Sequence, residues 1–175
     1  MTINKTSIEL VQGDITQEET DAIVNAANAA LAGGGGVDGA IHRAAGAAEL
    51  QAACRKLGGC ATGDAKITPG FKLKARFIIH AVGPVYQPGS EESPRLLASA
   101  YRRSLEVAVE NGVKTIAFPA ISTGVYGYPM DKAAQVSLTA VADFVRQNDR
   151  LEKVRFVLFG SEAFETFKAA LRTLS

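Results

Sequence analysis

Apolar and polar positions alternate along Ser7–Gln12, with Ile8 and Leu10 on one side and Glu9 and Val11 on the other, which predicts a strand. Gly13-Asp14-Ile15-Thr16 ends it. Ala22–Val24 is a short apolar run that reads as a buried strand end, and Asp64–Thr68 as a short strand before Pro69-Gly70. Phe77–Val82, FIIHAV, is almost continuously apolar and predicts a central strand. Thr115–Phe118 and Val154–Phe159 predict two more. Between these runs the period lengthens to that of a helix. Asp38–Ala45 sets Ala40, Ile41, Ala44 and Ala45 on one face, and Ala47–Leu57 continues to a stop at Gly58-Gly59. Ser93 is a good N-cap, with Pro94 at the first helical position, for a helix reaching Asn111 and ending at Gly112. Asp131–Gln147 repeats Ala134, Leu138, Val141 and Val145 at helical spacing. Ser161 caps a last helix carrying Phe164, Phe167, Ala170 and Leu171. Strands alternating with helices predict a layered α/β fold. Ligands of such sheets bind outside the carboxyl ends of the strands.

Two loops fall at such ends. Asn25–Val37 contains four consecutive glycines, Gly33 to Gly36, and leads into the helix at Asp38. A strand, a glycine loop and a helix start leave backbone N–H groups unpaired and pointing outward, where the helix dipole favours an anion. Each glycine costs about 0.4–1 kcal/mol relative to alanine where alanine would fit. Such a run therefore argues for a close approach of backbone to ligand. The apolar segments on either side argue against a flexible linker. Pro119–Pro129 is the second loop. Ser122, Thr123 and Gly124 offer hydroxyls and N–H groups for another anion nest, and Tyr126 and Tyr128 flank Gly127, either covering a sugar or ring or packing as an ordinary turn. Gly83–Ser93 is a loop by composition.

Composition narrows the classes. The 175 residues fit one domain, 1–175, and 47% hydrophobic with 21% charged residues is a globular balance. A net charge of +1 gives no argument for nucleic acid or an anionic membrane. No apolar run has the length of a membrane span, and the N-terminus lacks the apolar core of a signal peptide, so a cytoplasmic location is expected. Cys54 and Cys60 match no zinc or redox spacing and read as reduced structural thiols. No Lys-Ser/Thr follows the glycines, which excludes an NTP-hydrolysing P-loop. Gly34, Gly36 and Gly39 satisfy the dinucleotide spacing only because four glycines in a row satisfy many, and the loop stands too far from its strand.

The candidate residues each carry a plainer alternative. Asp14 is a turn or cap residue, or a carboxylate that accepts from an exocyclic amine. Asn25 and Asn28 flank Ala26-Ala27, and one of them can be a turn residue. Asp38 either compensates the helix dipole or, being repelled by phosphate, turns toward a sugar hydroxyl or a water. His42, one turn on, is placed to hydrogen-bond Asp38 or to sit on the surface. His80, inside an apolar strand, reads as a core histidine. No His/Cys/Asp cluster has metal spacing and no Ser/His/Asp arrangement is evident.

Val11-Gln12-Gly13-Asp14-Ile15-Thr16, Val24-Asn25-Ala26-Ala27-Asn28, and Gly33–Gly36 followed by Val37-Asp38-Gly39-Ala40-Ile41-His42 stand in order with Ala81-Val82-Gly83-Pro84 and Pro119–Pro129. With these motifs nearly the whole chain resembles the macro domain, an ADP-ribose-binding family. The resemblance is to the branch of bacterial O-acetyl-ADP-ribose deacetylases and MacroD-type mono-ADP-ribosyl hydrolases. It implies a three-layer α/β/α domain with a mixed, mainly parallel sheet. It implies that Asp14, with the Ile15 N–H, binds the adenine amine and that Phe159 packs against adenine, beside Gly160 where relatives vary. Gly36, Val37 and the loop Ser122, Thr123, Gly124, Val125 and Tyr126 hold the diphosphate and distal ribose. Asn28 holds the ribose hydroxyls, and Asp38 serves turnover with His42 in support. No metal and no cofactor is implied. The implied partners are ADP-ribose, its esters and mono-ADP-ribosylated proteins. Two classes stand: a hydrolase of O-acetyl-ADP-ribose and of ADP-ribosyl esters of acidic side chains, or a non-catalytic reader of ADP-ribose. Readers commonly lack the Asn and Asp pair that this chain has, which favours the hydrolase.

Overall fold

Seven strands build one sheet: β1 (Thr2–Ile3), β2 (Thr6–Gln12), β3 (Ala22–Ala26), β4 (Ala65–Pro69), β5 (Phe77–Ala81), β6 (Thr115–Phe118) and β7 (Lys153–Leu158). Their spatial order is β1-β2-β7-β6-β3-β5-β4. Only the two edge strands are antiparallel to their neighbours; β2, β7, β6, β3 and β5 all run the same way. The structure is a computed structural model and describes residues 1–174; Ser175, the end of the expected domain, lies outside the described residues.

Side chains on the interior strands alternate between two cores. Val24, Ile79, Phe118 and Phe156 pack with α3 (Glu92–Glu110), α4 (Met130–Gln147) and α5 (Ser161–Leu174) through Leu97, Leu105, Leu138, Val141 and Phe167. Their neighbours Ile23, Ile78, Ala117 and Val157 face α1 (Gly36–Ala45) and α2 (Ala47–Leu57) through Ile41, Leu50 and Cys54. The expected three-layer α/β/α sandwich with a mixed, mainly parallel sheet is therefore the fold. A sheet covered on both faces needs apolar residues on both, which is why its strands read as runs rather than as strict alternation. Among the described residues no helix is long and apolar enough to cross a membrane.

Several local expectations are corrected. β1 and a single 3-10 turn at Ile15–Gln17 are too short to leave a period in the sequence. Helix α3 begins at Glu92, before Ser93, whose buried hydroxyl accepts from the Gln87 N–H at 3.1 Å instead of capping. Ser90 takes the Glu92 N–H at 3.1 Å. Helix α1 begins at Gly36, two residues early, and its buried face is Asp38, Gly39, Ile41, His42 and Ala45, not the alanine stripe through Ala40 and Ala44. β7 stops at Leu158, which leaves Phe159 off the strand and 87% exposed.

Candidate functional site

The carboxyl ends of β2, β7, β6 and β3 lie side by side, and each carries one part of the predicted site. Three strand spacings of about 4.8 Å set a row about 14 Å wide. At its β2 end, Asp14 is exposed and caps the 3-10 turn: Oδ1 accepts from the Thr16 N–H at 2.9 Å and from its hydroxyl at 2.7 Å. The cap role and an outward Oδ2 coexist. Among the described residues the Ile15 N–H has no acceptor. Phe159 follows β7, whose Leu158 carbonyl accepts from the Gly13 N–H at 2.9 Å, so Phe159 and Asp14 are held at adjacent strand ends.

After β6 comes the second loop. Tyr101 of α3, fully buried, roots it by donating to the Pro119 carbonyl at 3.1 Å and accepting from the Ile121 N–H at 3.0 Å. Burial pushes this phenol well above its usual range. Ser122 follows in the left-handed region, φ 70°, uncommon for a residue with a side chain. A Cβ on Gly83, at the end of β5, would stand 2.2 Å from Ser122 Oγ, so only glycine lets the two loops pass. The N–H groups of Ser122, Gly124, Val125 and Tyr126 donate to nothing among the described residues, while Tyr128 N–H closes back on the Ser122 carbonyl at 3.0 Å. Val125 is fully exposed. Tyr128 takes the plainer of its two expected roles: it is buried and packed on Tyr86 at 4.7 Å between ring centres, which leaves Tyr126 as the half-buried aromatic facing outward.

The glycine loop follows β3. Asn28 pins it twice, accepting from the Ala32 N–H at 3.0 Å and donating to the Gly33 carbonyl at 2.9 Å. From Gly33 through Asp38 the N–H groups, including those of Gly36 and Val37, are unpaired among the described residues, a row of donors at a helix N-terminus. Gly39 lies directly under the loop: a Cβ there would be 2.6 Å from the Gly34 carbonyl oxygen.

Beneath the loop sits Asp38, 6% exposed. Its Oδ1 accepts from Asn25 Nδ2 at 2.9 Å and lies 3.0 Å from His42 Nδ1, which is also 3.0 Å from the Asp38 carbonyl. A Cβ on Gly34 would be 3.6 Å from Asp38 Oδ2 and 4.0 Å from Asn28 Nδ2, so the carboxylate and the Asn28 amide converge under the same glycine. Asn25 and His80 are register partners on β3 and β5, on the face that looks at α1 and α2. Asn25 Nδ2 is 3.2 Å from His80 Nδ1, and His80 Nε2 is 2.9 Å from Thr68 Oγ1 of β4. Burial, and then the neighbouring His42, push His80 down to about 4, so it is neutral; it is a satisfied core histidine. Cys54 lies 3.9 Å from the same Nε2, and burial together with the Asp38 charge raises its thiol above the usual range. Both cysteines are free and buried. Among the described residues three buried side-chain polar atoms lack a partner, Asn25 Oδ1, His42 Nε2 and Ser122 Oγ, and all three belong to this region.

Sequence reasoning named Asn28, Asp38 and His42 but left Asn25 and His80 without a role in the site, and missed Tyr101. The available signal was strand parity: Asn25 and His80 share a face with Ile23 and Ile78, so each is a polar residue aimed into a core.

The chain matches the family model described as "Macro domain" over residues 24–137. A Xenopus laevis protein named ADP-ribose glycohydrolase MACROD2 is 52% identical over 169 residues, which cover 94% of this chain and 40% of that protein. A Cronobacter turicensis protein named O-acetyl-ADP-ribose deacetylase is 49% identical over 168 residues, covering 94% of this chain and 95% of the relative. Among solved structures, the Oceanobacillus iheyensis macrodomain with ADP superposes with a TM-score of 0.95 at 44% identity, covering 99% of this chain and 94% of the other. A Trypanosoma brucei macrodomain in complex with ADP-ribose gives 0.87 at 40% identity over 94% of this chain and 68% of the other.

Proposed function

We propose, since this chain belongs to the macro domain family, that it binds ADP-ribose across the row of strand ends and hydrolyses acyl esters of the distal ribose: O-acetyl-ADP-ribose, and mono-ADP-ribose esterified to acidic side chains. Relatives carrying hydrolase names and neighbours with ADP or ADP-ribose bound support the class. In this reading Asp14 Oδ2 accepts from the adenine amine, the Ile15 N–H assists by donating to a ring nitrogen beside it, and Phe159 packs on the ring. The free N–H groups of Gly36, Val37, Ser122, Gly124, Val125 and Tyr126, with the Thr123 side chain, take the diphosphate and distal ribose. Asn28 holds ribose hydroxyls.

The observation that carries the enzymatic reading is the state of Asp38. A carboxylate that served only the helix dipole would stand in water. This one is buried, with Oδ1 held by Asn25 and His42 and Oδ2 under Gly34, at the edge of a row of free donors. Phosphate beside it is repelled, so Asp38 is suited to a water or a ribose hydroxyl. It either polarises the attacking water or fixes the ribose so that a ligand phosphate does. The site lacks the paired carboxylates of most glycosidases, which favours esters over the N-glycosidic bond to arginine.

The test pairs an ADP-ribose titration with initial rates on O-acetyl-ADP-ribose and on an ADP-ribosyl-glutamate peptide. For Asp38→Ala kcat should fall about 10²–10⁴-fold, the worth of general-base help. Affinity should stay within about threefold, under 1 kcal/mol. Because the alanine strands the Asn25 donor and leaves His42 Nδ1 only the carbonyl of residue 38, at about 1–3 kcal/mol of stability, Asp38→Asn serves as the isosteric companion. Equal losses in rate and affinity would make Asp38 a binding residue. A wild type inert toward every ADP-ribosyl ester would leave a non-catalytic ADP-ribose-binding module.

A further inference from the structure

Asp38 is the last member of a chain of hydrogen bonds that begins at the far edge of the sheet. Thr68 of β4, His80 of β5, Asn25 of β3 and Asp38 of α1 touch in that order, all buried. One set of directions suits every atom of the chain, with Cys54 Sγ, 3.9 Å from His80 Nε2, as a further weak acceptor for that nitrogen. Thr68 Oγ1 lies 3.2 Å from the Pro69 carbonyl, which only accepts, and the hydroxyl has a single proton to give. Its lone pairs therefore face His80, whose Nε2 carries the ring proton. Nδ1 is then bare and accepts from Asn25 Nδ2. The second proton of that amide goes to Asp38 Oδ1. The reverse tautomer would turn the Asn25 amide over and set its carbonyl oxygen against the Asp38 carboxylate oxygen, acceptor against acceptor in a dry interior.

We propose that His80 is a positioning residue for hydrolysis. Fully buried, it acts through Asn25. By presenting a bare Nδ1 it holds the Asn25 amide nitrogen toward Asp38, and so, together with His42 on the same oxygen, keeps Oδ1 engaged and Oδ2 turned toward Gly34. Thr68 sets the tautomer. The inference rests on the hydrolase reading of the site. Packing alone does not account for the arrangement, since an apolar residue would fill the space between β3 and α2 without ordering the amide, and misplacing a reacting group by about 1 Å costs on the order of 10²-fold in rate.

The experiment uses O-acetyl-ADP-ribose kinetics, ADP-ribose titration and ring-nitrogen NMR of the full chain. His80→Leu should lower kcat about 10–100-fold while KM and ADP-ribose affinity stay within about threefold. His80→Asn, whose Oδ1 stands near the lost Nδ1, should recover most of the rate. Thr68→Val should lower kcat severalfold and Thr68→Ser should not. In the wild type at neutral pH, Nε2 should be the protonated nitrogen. A proton on Nδ1, or full kcat in His80→Leu, would overturn the proposal and leave the hydrolase reading intact. So would equal loss of rate and affinity in His80→Leu, which would make His80 a structural residue. A wild type without turnover would overturn both.

Discussion

Asp14 spends one carboxylate oxygen on the turn after β2 and keeps the other in solvent. Removing the side chain therefore does two separable things. Loss of the cap to Thr16 should lower stability by about 0.5–2 kcal/mol. If the free oxygen accepts the adenine amine, Asp14→Ala should also weaken ADP-ribose by about 1.5–3 kcal/mol, the worth of a hydrogen bond to a charged group. Calorimetry and urea unfolding on the same variant separate the two, and normal ADP-ribose affinity would reduce Asp14 to its turn. Asn28 is coupled in a different way. Its amide holds the glycine loop at both Ala32 and Gly33, so Asn28→Ala should damage affinity and rate together, unlike Asp38→Ala. Initial rates and titration of that variant check the contrast.

At the scale of elements, the site depends on how closely the β3–α1 loop settles on its own helix. Gly39 sits on the buried face of α1 with no room for a methyl group: the nearest obstacle is the backbone oxygen of Gly34, which cannot rotate away. Gly39→Ala must lift the loop off Asp38 or push the helix from the sheet. Overpacking of this kind costs about 1–3 kcal/mol. The melting temperature should fall, and ADP-ribose affinity should fall with it because the row of N–H donors moves. Gly35→Ala is the matched control, since a Cβ there meets nothing within 4 Å and its φ is −94°. Comparable losses in both variants would mean that glycine content, not close approach, matters in this loop.

At the scale of the whole molecule, the sheet has one interior whose buried helix serines bond back to their own helices and one that contains a polar chain with a histidine. The second makes stability depend on pH. His80 has a folded-state value of about 4 against 6.5 for the free side chain, because burial and the neighbouring His42 disfavour its charge. Between those values the unfolded chain binds a proton that the folded one does not. Its contribution is therefore complete above about pH 6.5 and is lost as pH falls toward about 4, with a slope of at most about 1.4 kcal/mol per pH unit. Carboxylates titrate in the lower part of the window, so the comparison is wild type against His80→Asn, which keeps an acceptor and does not titrate. Urea midpoints from pH 7.5 to 4.5 should fall more steeply for the wild type; parallel curves would show that His80 is not held neutral by the fold.

The sequence by itself determined the layered α/β architecture, because a period of 3.6 or a continuous apolar run is a property of neighbours along the chain. It also marked both candidate loops, since glycine and proline punctuate the backbone locally. It left the ends of elements uncertain by a residue or two: Ser93 is a capping residue type, yet its hydroxyl was claimed by Gln87 through a turn that no pattern records. Strand order is a contact between distant segments, and only the tertiary structure decided that β7 lies between β2 and β6, which brings Phe159 beside Asp14. The same holds for the inner face of α1. Spacing alone offered an alanine stripe, but Asn25, held by His80 on the facing strands, supplies a donor that lets Asp38 be buried, and Asp38 in turn partners His42 Nδ1. A buried polar group is tolerable only with its partner, and here the partners stand 13 and 55 positions apart along the chain, where no local pattern reaches.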